Sequence, residues 1–105
     1  MSVIHVTDQD IQAMIMAQRI VLVDFYAPWC GPCRMLGPVL DEVDRELYGS
    51  AAIAKINVDK NDKSVRRYGI MSVPTMKIFK DGYEIMTLVG LRTKQDIIRA
   101  IESVM

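Results

Sequence analysis

Ile20-Val21-Leu22-Val23-Asp24-Phe25-Tyr26-Ala27 runs directly into Pro28-Trp29-Cys30-Gly31-Pro32-Cys33. The first half is a continuous apolar run broken by one acid. Its β-branched and aromatic content suits a strand covered on both faces, and such a strand is central in a sheet. The second half stops the strand with two prolines and a glycine. From Cys33 to about Tyr48 the pattern becomes helical. Leu36, Leu40, Val43 and Leu47 fall at i, i+4, i+7 and i+11, one face of a helix. Pro38 lies within this helix, removes the hydrogen bond to the Arg34 carbonyl, and predicts a kink. The two cysteines therefore sit where a central strand hands over to a helix.

Outward from this junction the chain alternates. Ser2 to Val6 reads as a short strand. Thr7-Asp8-Gln9-Asp10 resembles a capping box before a helix carrying Ile11, Met14 and Ile15 on one face. Ala51 to Val58 reads as a strand, and Asp62 to Tyr68 as a short helix closed by Gly69 in the left-handed region. Pro74 opens a strand from Thr75 to Phe79. Asp81-Gly82 is a hairpin signal, so Tyr83 to Val89 should pair antiparallel with it. Thr93-Lys94-Gln95-Asp96 caps a last helix with Ile97, Ile98 and Ile101 turned inward. The order βαβαβαββα predicts an α/β fold: one mixed sheet with helices on both faces and parallel right-handed crossovers through each helix. The length, 105 residues, suits a single domain over 1–105.

The strand-to-helix junction has chemical consequences for Cys30 and Cys33. Unpartnered backbone N–H groups and the positive end of the helix dipole favour a thiolate at Cys30. The thiolate is the nucleophile in disulfide exchange. Cys33, about one turn further in, is expected to be less exposed and close enough to bridge. Cys30 would attack a substrate disulfide, and Cys33 would resolve the mixed disulfide. Pro32 occupies the first turn, where it loses no hydrogen bond. Two other readings are weaker. Zinc needs four ligands, and the single histidine, His5, lies on another strand, so no metal is expected. Two inert core cysteines would not need a flanking Trp, Gly and Pro. A bridge closing so small a loop also restricts the unfolded chain too little for a stabilising role.

The run from Val23 to Cys33 resembles the active-site signature of the thioredoxin family. The resemblance extends to Lys55-Ile56-Asn57-Val58-Asp59, to Tyr68-Gly69-Ile70, to Val73-Pro74-Thr75, to Lys80-Asp81-Gly82 and to Val89-Gly90. It implies a thioredoxin fold, a three-layer α/β/α sandwich with a mixed five-stranded sheet and four helices. It also implies a protein-disulfide reductase that needs no bound cofactor and is recycled by a thioredoxin reductase, NADPH- or ferredoxin-linked. Tyr26 and Ser72 depart from the family pattern, where Trp and Gly are frequent.

The resemblance assigns further residues. Asp24, an acid in a buried strand, must raise its pKa or find a partner. It reads as a proton acceptor for Cys33, with Lys55 tuning it, or as a structural ion pair with Lys55. The family favours the first. It also implies a cis Val73–Pro74 bond packed against the dithiol, exposing the Val73 backbone to an extended peptide. Trp29, Gly31, Pro32, Val73, Pro74, Gly90 and Leu91 would then form a flat, uncharged docking patch. The plainer readings are Trp29 as core cover, Gly90 as a strand-end glycine and Met71 as filler beside the patch. Gly82 reads as turn only, and Arg34 as a solvated first-turn residue.

Thirteen basic and thirteen acidic residues give no electrostatic reason to expect nucleic acid or an anionic membrane. No apolar run reaches the roughly 20 residues of a membrane span. No signal region is visible at the N-terminus, so a cytoplasmic protein is expected, and a monomer. The expected partners are disulfide-containing client proteins and the recycling reductase. Two alternatives keep the same fold: an oxidant or isomerase, disfavoured by Gly31-Pro32 between the cysteines, and a non-catalytic binding subunit using the same surface.

Overall fold

The structure is a computed structural model that describes residues 2–105. Its elements follow the predicted order: β1 (Ile4–Val6), α1 (Ile11–Ala17), β2 (Ile20–Tyr26), α2 (Gly31–Leu47), β3 (Ala52–Asn57), α3 (Asp62–Arg67), β4 (Thr75–Lys80), β5 (Tyr83–Val89) and α4 (Lys94–Glu102). They form the thioredoxin fold, with the five strands in one sheet ordered β1-β3-β2-β4-β5. β2 is central, and Val21, Leu22, Val23, Asp24 and Phe25 are all 0 % exposed, as a strand covered on both faces requires.

Period-two alternation along β2 splits the core. Ile20 and Leu22 pack with Leu36, Leu40, Val43 and Leu47 of α2 and with Ile97 and Ile101 of α4. Val21, Val23 and Phe25 pack on the other face with Ile11 and Ile15 of α1. The helical stripe read from α2 is buried at all four positions. Leu40 lies at 0 % exposure between α2 and the sheet. Leu40→Ala is expected to cost about 2–5 kcal/mol through lost burial and the cavity left behind. A lowered urea midpoint at unchanged slope would show it.

One expectation about topology is corrected. β1 and β2 both pair parallel with β3, but β4 pairs antiparallel with β2. The passage through α3 is therefore not a parallel crossover. The reason is length. Six residues of helix span about 9 Å, roughly half of a six-residue strand at about 3.3 Å per residue. The chain leaves β3 at its carboxyl end, crosses above the sheet, and starts β4 beside the carboxyl end of β2, with Thr75 opposite Phe25. A 3₁₀ turn over Val58–Lys60, capped by the Asn57 side chain, begins that passage. It shortens the predicted strand by one residue.

The local signals act as read. Thr93 Oγ1 accepts the Asp96 N–H at 3.1 Å. Asp81 and Gly82 have φ of 53° and 86°, the two left-handed residues of a tight hairpin. The box before α1 is only half formed. The Thr7 N–H donates to the Asp10 carboxylate, but Thr7 Oγ1 accepts from the Gln9 N–H at 3.3 Å instead of from Asp10.

Candidate active site

β2 ends at Tyr26, and the chain turns tightly. The Cys30 N–H donates to the Ala27 carbonyl at 3.2 Å, and the Arg34 N–H donates to the Cys30 carbonyl at 3.1 Å, opening α2. Cys30 is thus the N-cap of α2, with extended φ and ψ of −84° and 116°. Its sulfur takes the place that a serine or aspartate oxygen usually fills: the Cys33 N–H points at Cys30 Sγ, 3.2 Å away. Pro32 lies in the first turn. Arg34, expected to be merely solvated, donates from Nη1 to the Pro28 carbonyl at 2.9 Å. This bond ties the first turn back onto the loop that carries Trp29.

Cys30 and Cys33 form a disulfide with a Cα–Cα distance of 5.2 Å. Both are covered, at 5 % and 3 % exposure, so the expected contrast in exposure between the two sulfurs is small in this oxidised state. One contact is specific to Cys30. Cys30 Sγ lies 3.8 Å from the Val73 carbonyl oxygen, next to Trp29, which is 69 % exposed. Both sulfurs belong to one small cluster with Ala27, against which Tyr26, Val58 and Val73 pack.

Val73–Pro74 is a cis peptide. The Pro74 carbonyl accepts the Gly90 N–H at 2.8 Å, and Gly90 holds φ of 90°, a backbone region open to glycine at little cost. Through these contacts Gly90 and then Leu91 are brought to the same end of the sheet as Cys30, Gly31 and Pro32. Beside them an apolar groove of about 450 Å³ is lined by Trp29, Val58, Val65, Ile70, Met71 and Val73. Met71 is 96 % exposed at its rim. Val58, Val65 and Ile70 were not singled out from the sequence, because each reads there as ordinary core. Asp59 was missed as well: its carboxylate accepts Trp29 Nε1–H at 3.0 Å and 3.3 Å, fixing the indole over the groove.

Asp24 is the third residue from the end of β2, on the face that α2 covers. It is 0 % exposed, and neither carboxylate oxygen has a hydrogen-bond partner. Burial pushes its pKa up to about 7, and the positive charge of Lys55 partly opposes the rise. Asp24 and Lys55 are register partners on β2 and β3, as alternation allowed. They do not form the direct pair considered from the sequence. The Lys55 ammonium lies 4.7 Å above the Tyr26 ring and against Gly37 of α2, where an added Cβ would be 3.6 Å from Nζ. Gly37 follows Cys33 by one helical turn. Lys55 thus borders both Asp24 on β2 and the second turn of α2. Among the described residues no group of three or more His, Cys, Asp or Glu is placed to hold a metal ion.

A family model described as Thioredoxin matches residues 2–103. The chain is 44 % identical over 95 residues to the thioredoxin of Bacillus subtilis, covering 90 % of each. It is 46 % identical over 97 residues to thioredoxin 2 of Chlorobaculum tepidum, covering 91 % of this chain and 89 % of that one. Among solved structures, a mutant thioredoxin from Halobacterium salinarum superposes with a TM-score of 0.91 at 37 % identity, covering 97 % of this chain and 89 % of that one.

Proposed function

The chain belongs to the thioredoxin family, and we propose on that footing how its residues divide the work of a thiol–disulfide oxidoreductase. Its activity is protein-disulfide reduction. Cys30 is the nucleophile. The Cys33 N–H aimed at its sulfur and the start of α2 stabilise negative charge there. The thiolate attacks one sulfur of a client disulfide. A Cys30–client bond forms, the client S–S bond breaks, and the first client sulfur leaves as a thiolate. Cys33 then gives its proton to the Asp24 carboxylate and attacks Cys30 Sγ. The Cys30–Cys33 bond forms, the second client sulfur leaves, and two electrons have passed from the dithiol to the client.

Asp24 suits the proton step because it changes charge near neutral pH. Lys55 keeps it from remaining protonated throughout. An extended client backbone donates to the Val73 carbonyl, a reading supported by its 3.8 Å distance from Cys30 Sγ. Trp29, Gly31, Pro32, Pro74, Gly90 and Leu91 supply the uncharged surface around it. The protein works as a monomer in the cytoplasm and returns to the dithiol through a thioredoxin reductase, NADPH- or ferredoxin-linked.

The observation that carries this reading is the disulfide across the first turn of α2, the product state of the proposed cycle. Cys33→Ser removes the resolving sulfur and should hold clients on Cys30 as mixed disulfides that dithiothreitol releases. Capture no greater than with Cys30→Ser would contradict the assigned order of attack.

A further inference from the structure

A second cavity, of about 440 Å³, has a lining separate from the dithiol. It lies outside the carboxyl ends of the three parallel-paired strands. His5 and Val6 of β1, Lys55 and Asn57 of β3, and Tyr26 of β2 line it. That crevice is where open α/β sheets commonly bind small ligands, and its volume is within the range of small-molecule sites. Neither cysteine, nor Trp29, nor Val73 takes part in it.

Its charge is one-sided. Lys55, Lys60 and Lys63 converge on it from three different points of the chain, against the single carboxylate of Asp8. Asp8 Oδ1 accepts the Ser64 N–H at 2.8 Å and the Ser64 hydroxyl at 2.6 Å, and Oδ2 accepts the Lys63 backbone N–H at 3.4 Å. None of the three lysines forms a direct ion pair among the described residues, where the ion pairs involve Lys77 and Lys94. The Lys63 ammonium acts on Asp8 and that of Lys55 on Asp24 only through space, and the lining keeps an excess of positive charge. The Lys55 ammonium rests over the Tyr26 ring and beside Gly37. Holding like charges around one concavity is unfavourable in the empty protein, and a bound anion removes that repulsion. The sequence-wide charge balance hides this local excess.

We propose that this cavity is a binding site for a small polyphosphate anion, gripped by Lys55, Lys60 and Lys63. Multiple negative charges match three ammonium groups better than a single carboxylate would. Lys55 also borders Asp24, so the test leaves it intact and alters the two outer lysines, which are exposed on a turn and on α3.

Pyrophosphate is titrated into the oxidised protein while amide NMR shifts are followed, with sodium chloride at matched ionic strength as reference. Saturable shifts at Thr7, Tyr26 and Asn57 are expected with pyrophosphate and not with chloride. Lys60→Gln/Lys63→Gln should weaken the affinity about tenfold or more, about 1.4 kcal/mol. Lys94→Gln, which alters a lysine paired with Glu46 at 2.9 Å, should leave it unchanged. Equal responses to the two salts would overturn the proposal, as would shifts that survive in the double variant. The readout does not depend on disulfide reduction, so a failed site and a failed catalytic assignment are distinguishable.

Discussion

Cys30→Ser is expected to reduce protein-disulfide turnover to the background of uncatalysed exchange. A serine hydroxyl ionises far less readily than a thiol and cannot form the disulfide link that makes exchange reversible. Loss of Cys33 has a different signature. Cys33→Ser should still complete a first attack, visible as one client thiol released per protein, and then stall. Stopped-flow release of client thiol under single-turnover conditions separates the two variants. Equal residual turnover in both would mean that the chain acts through its surface and not its sulfurs. The fold itself should survive either change, because a bridge across three residues closes a loop too small to constrain the unfolded chain strongly.

Asp24→Asn should make the protein slower and more stable at once. In the folded protein burial pushes the Asp24 pKa from 3.8 up to about 7. The native state therefore keeps a proton that the unfolded chain has lost over that interval. Stability from this group is fully present below about pH 4, falls as the pH rises towards 7, and stays low above it. A shift from 3.8 to about 7 corresponds to about 4 kcal/mol at 1.36 kcal/mol per pH unit. The asparagine variant lacks this penalty. Guanidinium unfolding at pH 8.5 should show it more stable than the parent by up to about 4 kcal/mol, with the difference fading at pH 4. Asparagine cannot take the Cys33 proton. Resolution of a preformed mixed disulfide should slow by about a hundredfold near pH 7. The deficit should shrink above pH 8.5, where hydroxide ionises a thiol of ordinary acidity without help. A variant destabilised at pH 8.5, or one whose deficit is independent of pH, would remove Asp24 from the proton step.

Much of this was legible in the chain because the signals are local. A continuous apolar run rich in β-branched and aromatic residues marked β2 as central, and four apolar residues marked the inner face of α2. Two left-handed positions marked the hairpin, and Thr93 marked the start of α4. The spacing of Cys30 and Cys33 at a strand–helix junction pointed to their chemistry. Period-two alternation allowed Asp24 and Lys55 to face each other if β2 and β3 were neighbours, but it could not say whether their charged ends would touch. That depended on where Tyr26 and Gly37 left room for the ammonium.

What only the tertiary structure decided involves residues far apart in sequence. The shortness of α3 turned β4 antiparallel to β2 and brought Val73 to Cys30. The same passage set Asp59 beneath Trp29, and the Asp8–Ser64 contact joined the end of β1 to α3. It also gathered Lys55, Lys60 and Lys63 around one concavity. Periodicity and capping are settled within a few residues, so a sequence displays them directly. Burial of a carboxylate without a partner, or convergence of distant lysines, comes into being only when crossovers place separate segments side by side.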